Sequence, residues 1–277
     1  MPDASKMMFV RPKNCRYCGH GYYGLLHAVQ YAQSKGLWNI IDISAEQANK
    51  GPIYEAIDQH DPASFYGFGH GSSCTYTGDS EEPIFTCNEC DRLNGRVVYL
   101  LSCLTGIGLG QAIINAGALA YAGFTVSWTW LSDSGTDGDP YADKYARGFW
   151  ESANELWNAL VDGEEFHDAV QRSIDKYDEW IDYWYYDNPQ EPYSQECIKW
   201  LAVDRDGLIA LDICDAITDE TQCQQEGCYW YEDHCHSAPP TPPPGGGGLA
   251  LAMVPIIAIV GIAYIVGQKK QPVKKKR

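Results

Sequence analysis

Two short apolar segments of this 277-residue chain each end in a side chain that can take part in nucleophilic chemistry. Residues 65–71 end in His70-Gly71, and residues 97–103 end in Ser102-Cys103. Both patterns are typical of buried strands, and parallel strands of one sheet deliver the residues that follow them to the same edge. A thiol beside an imidazole is the minimal equipment for thiolate catalysis, because the histidine can move the proton. The segments therefore predict a Cys103–His70 dyad.

The rest of the first 187 residues alternates between strand and helix patterns. Strands are predicted at residues 6–11, 38–43, 65–70, 97–102 and 119–130. Helices are predicted at residues 22–34, 45–59, 108–118, 141–160 and 164–185. The strands are too apolar for burial on one face only, which indicates helices on both sides of the sheet. The expected fold class is α/β with a mostly parallel sheet.

Residues 69–72 (Gly-His-Gly-Ser), the strand ending Leu101-Ser102-Cys103 and the glycine-rich residues 105–124 resemble the caspase-like (clan CD) cysteine peptidases, in their gingipain-like branch. The similarity extends more weakly over about residues 6–187. It implies a caspase-like three-layer sandwich over residues 1–187 and a cysteine endopeptidase, a hydrolase that acts on proteins or peptides without a cofactor.

The resemblance also implies a role for each matching residue. Cys103 is the expected nucleophile, and His70 is the expected proton donor to the leaving amine. The backbone N–H groups of Gly71 and Cys103 are expected to hold the oxyanion. Chemistry makes the same demand independently, because the tetrahedral oxygen needs two donors aimed at it.

The third member of such a site is less clear from the sequence. Asp42, at the end of the second predicted strand, and Asp133 are candidates for an acid that orients His70, by their placement at the sheet edge alone. Trp128 and Trp130 are candidates for the walls of a specificity pocket, and a place in the sheet core is an equal alternative.

Two C-x2-C pairs, Cys15/Cys18 and Cys87/Cys90, occur in loops predicted at the same edge as the dyad. Four such cysteines could form a tetrahedral structural zinc site. Two disulfides across the loops explain them equally well, and Cys74 could join that cluster.

The chain changes character beyond the α/β domain. Residues 188–213 are predicted as a connector and residues 214–237 as a small cysteine-rich module. Two disulfides are expected among Cys214, Cys223, Cys228 and Cys235, and a zinc site that includes His234 or His236 is the alternative. Residues 238–248 are a proline- and glycine-rich linker.

Residues 249–267 are uncharged and mostly apolar, as in a transmembrane helix, and the tail 268–277 holds six basic residues. The positive-inside rule then predicts a single-pass protein with a cytoplasmic tail and an extracellular catalytic domain. The residues at Met1 do not resemble a signal peptide, which leaves a cytoplasm-facing, tail-anchored arrangement open.

The formal net charge of −17 indicates that the protein does not bind nucleic acid, because phosphates and an acidic surface repel each other. The composition leaves two other functions open. One is a catalytically inactive caspase-like surface protein for binding or adhesion, stabilised by disulfides or zinc. The other is a metal-stabilised structural protein built around the C-x2-C pairs.

Overall fold

The structure is a computed structural model that describes residues 2–15, 17–133, 135, 138–214, 219–225, 229–231 and 234–236. After Gln222 it describes the backbone only. The strands are β1 Asp3–Arg11, β2 Asn39–Ser44, β3 Pro62–Phe68, β4 Gly71–Ser72, β5 Thr75–Thr77, β6 Pro83–Thr86, β7 Val97–Leu101, β8 Ala120–Phe124, β9 Leu208–Asp212, β10 Tyr229–Tyr231 and β11 His234–His236. The α-helices are α1 Cys18–Lys35, α2 Lys50–His60, α3 Leu109–Asn115, α4 Arg147–Asp162, α5 Phe166–Asp182, α6 Ser194–Gly207 and α7 Glu220–Gln225.

The central sheet has six strands in the order β2-β1-β3-β7-β8-β9. Strands β1, β2, β3, β7 and β8 pair in parallel, and β9 runs antiparallel to β8 at one edge. The fold is therefore a mixed α/β architecture with a mostly parallel sheet, as the sequence predicts.

Alternate residues of each strand enter two separate cores. Met7 and Phe9 of β1 pack in one core with residues of α1 and α4, whereas Met8 and Val10 pack in the other with residues of α2 and α3. This division follows from the two-residue period of a strand, which sends successive side chains to opposite faces. The apolar strands are covered by helices on both faces, so the domain has three layers.

Residues 188–213 are not the connector that the sequence predicts. They contain α6 and β9, and β9 pairs with β8 from Ala120↔Asp212 to Phe124↔Leu208. The strand, Leu-Ile-Ala-Leu-Asp, starts directly after Gly207, the last residue of α6, so no loop separates the helix from the strand. The domain boundary at residue 187 is thus corrected to include β9.

Several predicted elements are shorter than expected, among them the helix predicted at 108–118, which covers Leu109–Asn115, and the helix predicted at 141–160, which begins at Arg147. The strand predicted at 119–130 ends at Phe124, so Trp128 and Trp130 lie in the loop that follows β8. The helix predicted at 45–59 begins at Lys50, after a single 3-10 turn over Ala45–Gln47. The predicted helix ends at Gly36 and Gly163 are present, each with a left-handed backbone that favours glycine.

The cysteine-rich module 214–237 contains α7 and the hairpin β10–β11. Cys214 is disulfide-bonded, and the side chains of Cys223, Cys228 and Cys235 lie outside the described part of the chain. The linker 238–248, the predicted transmembrane segment 249–267 and the tail 268–277 also lie outside it. Within the described residues, no helix is both long and apolar enough to cross a bilayer.

Candidate active site

The register of the sheet brings His70 and Cys103 to one edge. Phe68 at the end of β3 pairs with Leu101 at the end of the neighbouring β7. His70 and Cys103 each follow two residues later, so the two segments carry their reactive side chains the same distance past the sheet. Both residues line one cavity of about 520 Å³. The predicted pair therefore shares a pocket.

Gly71 packs directly against the turn that carries Cys103. A Cβ atom built at Gly71 would lie 2.5 Å from the carbonyl oxygen of Cys103 and would also meet Ser102. Only glycine allows this close approach of the two backbones. The two residues whose N–H groups were predicted to hold the oxyanion are thus adjacent.

The turn after Cys103 is strained. Leu104 has a φ of 61°, in the left-handed region that a branched side chain rarely adopts. Its N–H donates to the carbonyl of Val126, 2.9 Å away, which holds the turn against the end of β8. Strain of this kind persists where surrounding contacts enforce it, often at functional sites.

The thiol of Cys103 is partly exposed and donates to the carbonyl oxygen of Trp128, with a sulfur–oxygen distance of 3.7 Å. Burial raises the pKa of Cys103 above that of a free thiol, and the nearby Asp204 carboxyl adds to the rise. The resting site therefore holds a protonated thiol, not a preformed thiolate, and the proton has to leave during the reaction.

His70 has one ring nitrogen with no hydrogen-bond partner. Its Nε2 atom is buried and makes no hydrogen bond within the described residues. The carboxylate of Glu81 lies near it, with 3.9 Å between Nε2 and Oε1, a distance for an ion pair and too long for a hydrogen bond. Glu81 is therefore the acid that the structure places beside His70.

The two acids predicted to orient His70 lie elsewhere. Asp42 forms a two-pronged ion pair with Arg11, at 2.7 and 2.6 Å, on the edge strand β2. Asp133 is exposed, and its backbone N–H donates to the carboxylate of Asp143. Neither aspartate lines the cavity. This prediction is corrected, because placement at a sheet edge does not specify which strand neighbours the histidine.

Both predicted tryptophans line the cavity. Trp128 is also buried in the core and donates from its indole nitrogen to the hydroxyl of Tyr177 at 3.1 Å. Trp130 is half-buried, and its indole nitrogen donates to Nδ1 of His20 at 2.8 Å. The indole hydrogen bonds fix the orientation of both rings in the pocket wall.

The cysteines of the two C-x2-C pairs do not form a four-cysteine set. Disulfides join Cys15 to Cys18 and Cys74 to Cys87, whereas Cys90 is a free, buried thiol that contacts the carbonyl of Ala112. Cys87 is therefore bonded to Cys74, and not to Cys90, the other cysteine of its C-x2-C pair. This arrangement does not favour a single zinc ion bound by Cys15, Cys18, Cys87 and Cys90. Structural zinc in the protein stays a prediction.

Three residues of the site give no clear signal in the sequence. Tyr17 lines the cavity from the loop after β1, and Glu81 approaches His70 from the loop between β5 and β6. Asp204 of α6 is buried below the cavity loop, where it accepts the N–H of Thr129 at 3.2 Å. Burial raises the pKa of Asp204 well above its usual range. Only Tyr17 stands next to a motif, the first C-x2-C pair.

No protein-family model matches the chain, and no curated protein matches it. Among solved structures, it is similar to the complex of Porphyromonas gingivalis RgpB pro- and mature domains, with 10% identity and a TM-score of 0.49 over 76% of this chain and 47% of that chain. It is also similar to a chain described as "Structure of Protease", with 12% identity and a TM-score of 0.43 over 76% of this chain and 48% of that chain. This chain thus spans about half the length of either. Similarities this low assign no activity, so the function rests on the residues of the site.

Proposed function

We propose that the protein is a cysteine endopeptidase of the caspase-like, gingipain-like type, with Cys103 as the nucleophile and His70 as its proton carrier. The observation that carries the proposal is the register of β3 and β7, which places both residues in one cavity, two positions beyond paired strand ends. A cysteine and a histidine in one solvent-accessible pocket have the chemistry to cleave an acyl bond without a cofactor.

The reaction begins with the neutral thiol that the buried environment favours. The sulfur of Cys103 attacks the peptide carbonyl carbon as its proton moves to His70, and the carbonyl oxygen becomes an oxyanion. The N–H groups of Gly71 and Cys103 stabilise that charge. His70 then donates the proton to the leaving amine, which departs and leaves a thioester on Cys103. Water hydrolyses the thioester with His70 as base, and the thiol returns.

Substrates are peptides or proteins in an extended conformation that fits the open cavity. Its walls include the rings of Tyr17, Trp128 and Trp130, so an apolar or aromatic side chain next to the cleaved bond suits it best. We further propose that residues 249–267 anchor the domain to a membrane, with the basic tail in the cytoplasm and the catalytic domain outside.

One observation favours the alternative of a binding protein without turnover. The raised pKa of Cys103 leaves the thiol protonated, and no hydrogen bond joins it to His70 among those of the described residues. An inactive site of this kind keeps the fold and the pocket, and would bind a peptide without cleaving it.

Labelling with a peptidyl electrophile that reacts with activated thiols separates the two. We expect the purified chain to be modified at Cys103, with peptide cleavage lost in Cys103→Ala and lowered about 10² to 10⁴-fold in His70→Ala. The buried free thiols supply matched controls, since Cys90→Ala and Cys197→Ala should keep both labelling and turnover. Mass spectrometry of the labelled chain locates the modification. If Cys103 remains unmodified while the folded protein binds peptide, the endopeptidase proposal is wrong.

A further inference from the structure

Three side chains that can bind a metal ion meet at the edge of the cavity. The sulfur atoms of Cys15 and Cys18 and a ring nitrogen of His70 all lie within 4.8 Å of one another. Both cysteines are buried, and in the structure they are joined as a disulfide. Cys103 is not a member of this cluster.

The topology of the sheet brings the three residues together. Cys15 and Cys18 lie in the loop after β1, and His70 follows β3, which is the strand next to β1. The loop turns sharply at Tyr17, which has a left-handed φ of 68°, and the N–H of Cys18 donates to the carbonyl of Cys15 at 3.0 Å. Cys18 is the first residue of α1, whereas Cys15 lies in the loop before it, so the helix start and this turn place the two sulfurs beside the histidine.

The donor set matches zinc. Two thiolates and one imidazole are ligands that zinc prefers, and C-x2-C is the spacing of many zinc-binding loops. Bonds of about 2.3 Å to sulfur and about 2.0 Å to nitrogen put tetrahedral ligands roughly 3.5 to 3.8 Å apart. The two sulfurs are bonded to each other in the structure, so they must separate after reduction to reach this spacing. His70 offers a ring nitrogen to this cluster. Its Nε2 atom is buried and has no hydrogen-bond partner in the described part of the chain, with the carboxylate of Glu81 3.9 Å away.

We propose that reduction of the Cys15–Cys18 disulfide creates a zinc site made of Cys15, Cys18 and His70, with water from the cavity as the fourth ligand. A dithiol reductant supplies two electrons and two protons, so the disulfide becomes two thiols and the reductant becomes a cyclic disulfide. Zn²⁺ then replaces the two thiol protons, which are released to solvent, and binds the lone pair of the His70 nitrogen. Oxidation of the two sulfurs by a disulfide oxidant reverses the change and releases the zinc.

The regulatory consequence rests on the proposed function. A histidine whose ring nitrogen is bound to zinc cannot accept the proton of Cys103, so the zinc form is inactive as a peptidase. The oxidised form has a free imidazole and is active. The protein would then cleave peptides under oxidising conditions and be silenced by zinc under reducing ones.

Zinc binding is measured directly, without reference to activity. The full chain is reduced with dithiothreitol, freed of reductant without oxygen, and titrated with Zn²⁺ against a chromophoric chelator. We expect the Cys15→Ser/Cys18→Ser variant to bind one zinc fewer than the unaltered chain, and His70→Ala to weaken that zinc by about tenfold or more. Cys103→Ser, the matched pair Cys74→Ser/Cys87→Ser and the surface variant His60→Ala should keep it.

The absorption spectrum of bound cobalt is a second measurement, and it reports the ligands of the metal directly. Co²⁺ added to the reduced chain should give the intense absorption of a tetrahedral thiolate site, reduced in each single variant, Cys15→Ser and Cys18→Ser. Circular dichroism shows which variants remain folded. If folded Cys15→Ser/Cys18→Ser keeps the zinc while Cys103→Ser loses it, zinc binds the dyad and the proposal is overturned.

Peptide cleavage distinguishes this proposal from the proposed function. Reduction also opens the Cys74–Cys87 disulfide, so each chain is compared with itself in the reduced, zinc-free state. Zinc should inhibit the reduced chain relative to this reference and a chelator should reverse the inhibition, whereas Cys15→Ser/Cys18→Ser should resist zinc at the same concentration. A chain that binds zinc as described but cleaves no peptide refutes the peptidase and leaves the zinc site standing. If the chain cleaves peptides and its zinc binding is unchanged by substitution of Cys15, Cys18 and His70, the zinc site is refuted and the peptidase proposal is not.

Discussion

At the scale of single residues, Gly71 has no space for a side chain. A methyl group there would lie 2.5 Å from the carbonyl oxygen of Cys103, a backbone atom that cannot rotate away. We expect Gly71→Ala to destabilise the fold by about 1 to 3 kcal/mol and to reduce peptide cleavage, because the ends of β3 and β7 are pushed apart. Urea unfolding and cleavage assays measure both effects.

Gly51 is the matched control for that substitution. It lies in α2 with nothing within 4 Å of an added Cβ. Gly51→Ala should leave cleavage unchanged and stabilise the fold by up to about 1 kcal/mol, since alanine favours helix. Equal effects of the two substitutions would contradict the close approach inferred at Gly71.

Asp204 is a buried carboxyl whose protonation state should be visible in the stability of the whole domain. Burial raises its pKa in the folded protein well above its usual range. The stabilising, protonated form is fully present below the unfolded pKa of about 4, and this contribution is lost as the pH rises through the folded pKa. We expect this contribution to the free energy of unfolding to fall as the pH rises above about 4 towards the raised pKa of the folded protein.

Asp204→Asn removes this titration and keeps an oxygen that can accept the N–H of Thr129. The fall in the free energy of unfolding with rising pH should shrink by about 1.4 kcal/mol for each pKa unit by which burial raises the pKa of Asp204. Asp206→Asn, on an exposed residue of the same helix, should retain the full pH dependence. Identical pH profiles for the two variants would show that Asp204 is ionised in the folded protein.

At the scale of elements, the small sheet β4-β5-β6 is held by a disulfide as well as by the apolar packing of Tyr76, Ile84 and Phe85. It follows His70, and its ends are joined by the Cys74–Cys87 disulfide and by a backbone hydrogen bond from Cys87 to Cys74 of 3.1 Å. The carbonyl of Ser73 accepts the N–H of Leu109 at 2.7 Å, which docks the small sheet on the first residue of α3. The disulfide thus holds the His70 loop against the helix that follows Cys103.

Removal of this disulfide should therefore cost stability and activity together. Its sequence separation of 13 residues predicts a loss of about 3 kcal/mol for Cys74→Ser/Cys87→Ser. The separation of 3 residues between Cys15 and Cys18 predicts only about half of that for the other pair. Urea unfolding without reductant compares the two variants. A larger loss from the short loop would mean that strain or packing, and not chain entropy, dominates.

At the scale of the whole molecule, the proposed anchor can be tested by its removal. The full chain should stay with membranes through an alkaline carbonate wash, and a chain cut after Pro239 should appear in the soluble fraction. Deletion of the basic tail 268–277 alone is the control and should leave the protein with the membrane. Protease added to intact cells should digest the folded domain and spare the tail if the domain faces outward; the reverse pattern would place the domain in the cytoplasm.

The sequence by itself determined the layered α/β architecture and the placement of Cys103 and His70 at one edge of the sheet. Both depend on local patterns: runs of apolar residues buried on both faces form central strands, and parallel strands bring their following residues to one edge. Gly71 was also found locally, because it directly follows the histidine. Each of these signals is carried by a short segment, and the rule that parallel strands share an edge relates His70 to Cys103 although 33 residues separate them.

Only the tertiary structure decided which acids and sulfurs stand beside those two residues. Asp42 and Asp133 were reasonable by position, yet Glu81 is the carboxylate near His70 and Asp204 the one that affects Cys103. Cys87 pairs with Cys74 and Cys90 with nothing, whereas Cys15 and Cys18 approach His70. Strand order and loop paths set these distances, and they depend on packing between segments far apart in sequence, which no spacing of residue types encodes.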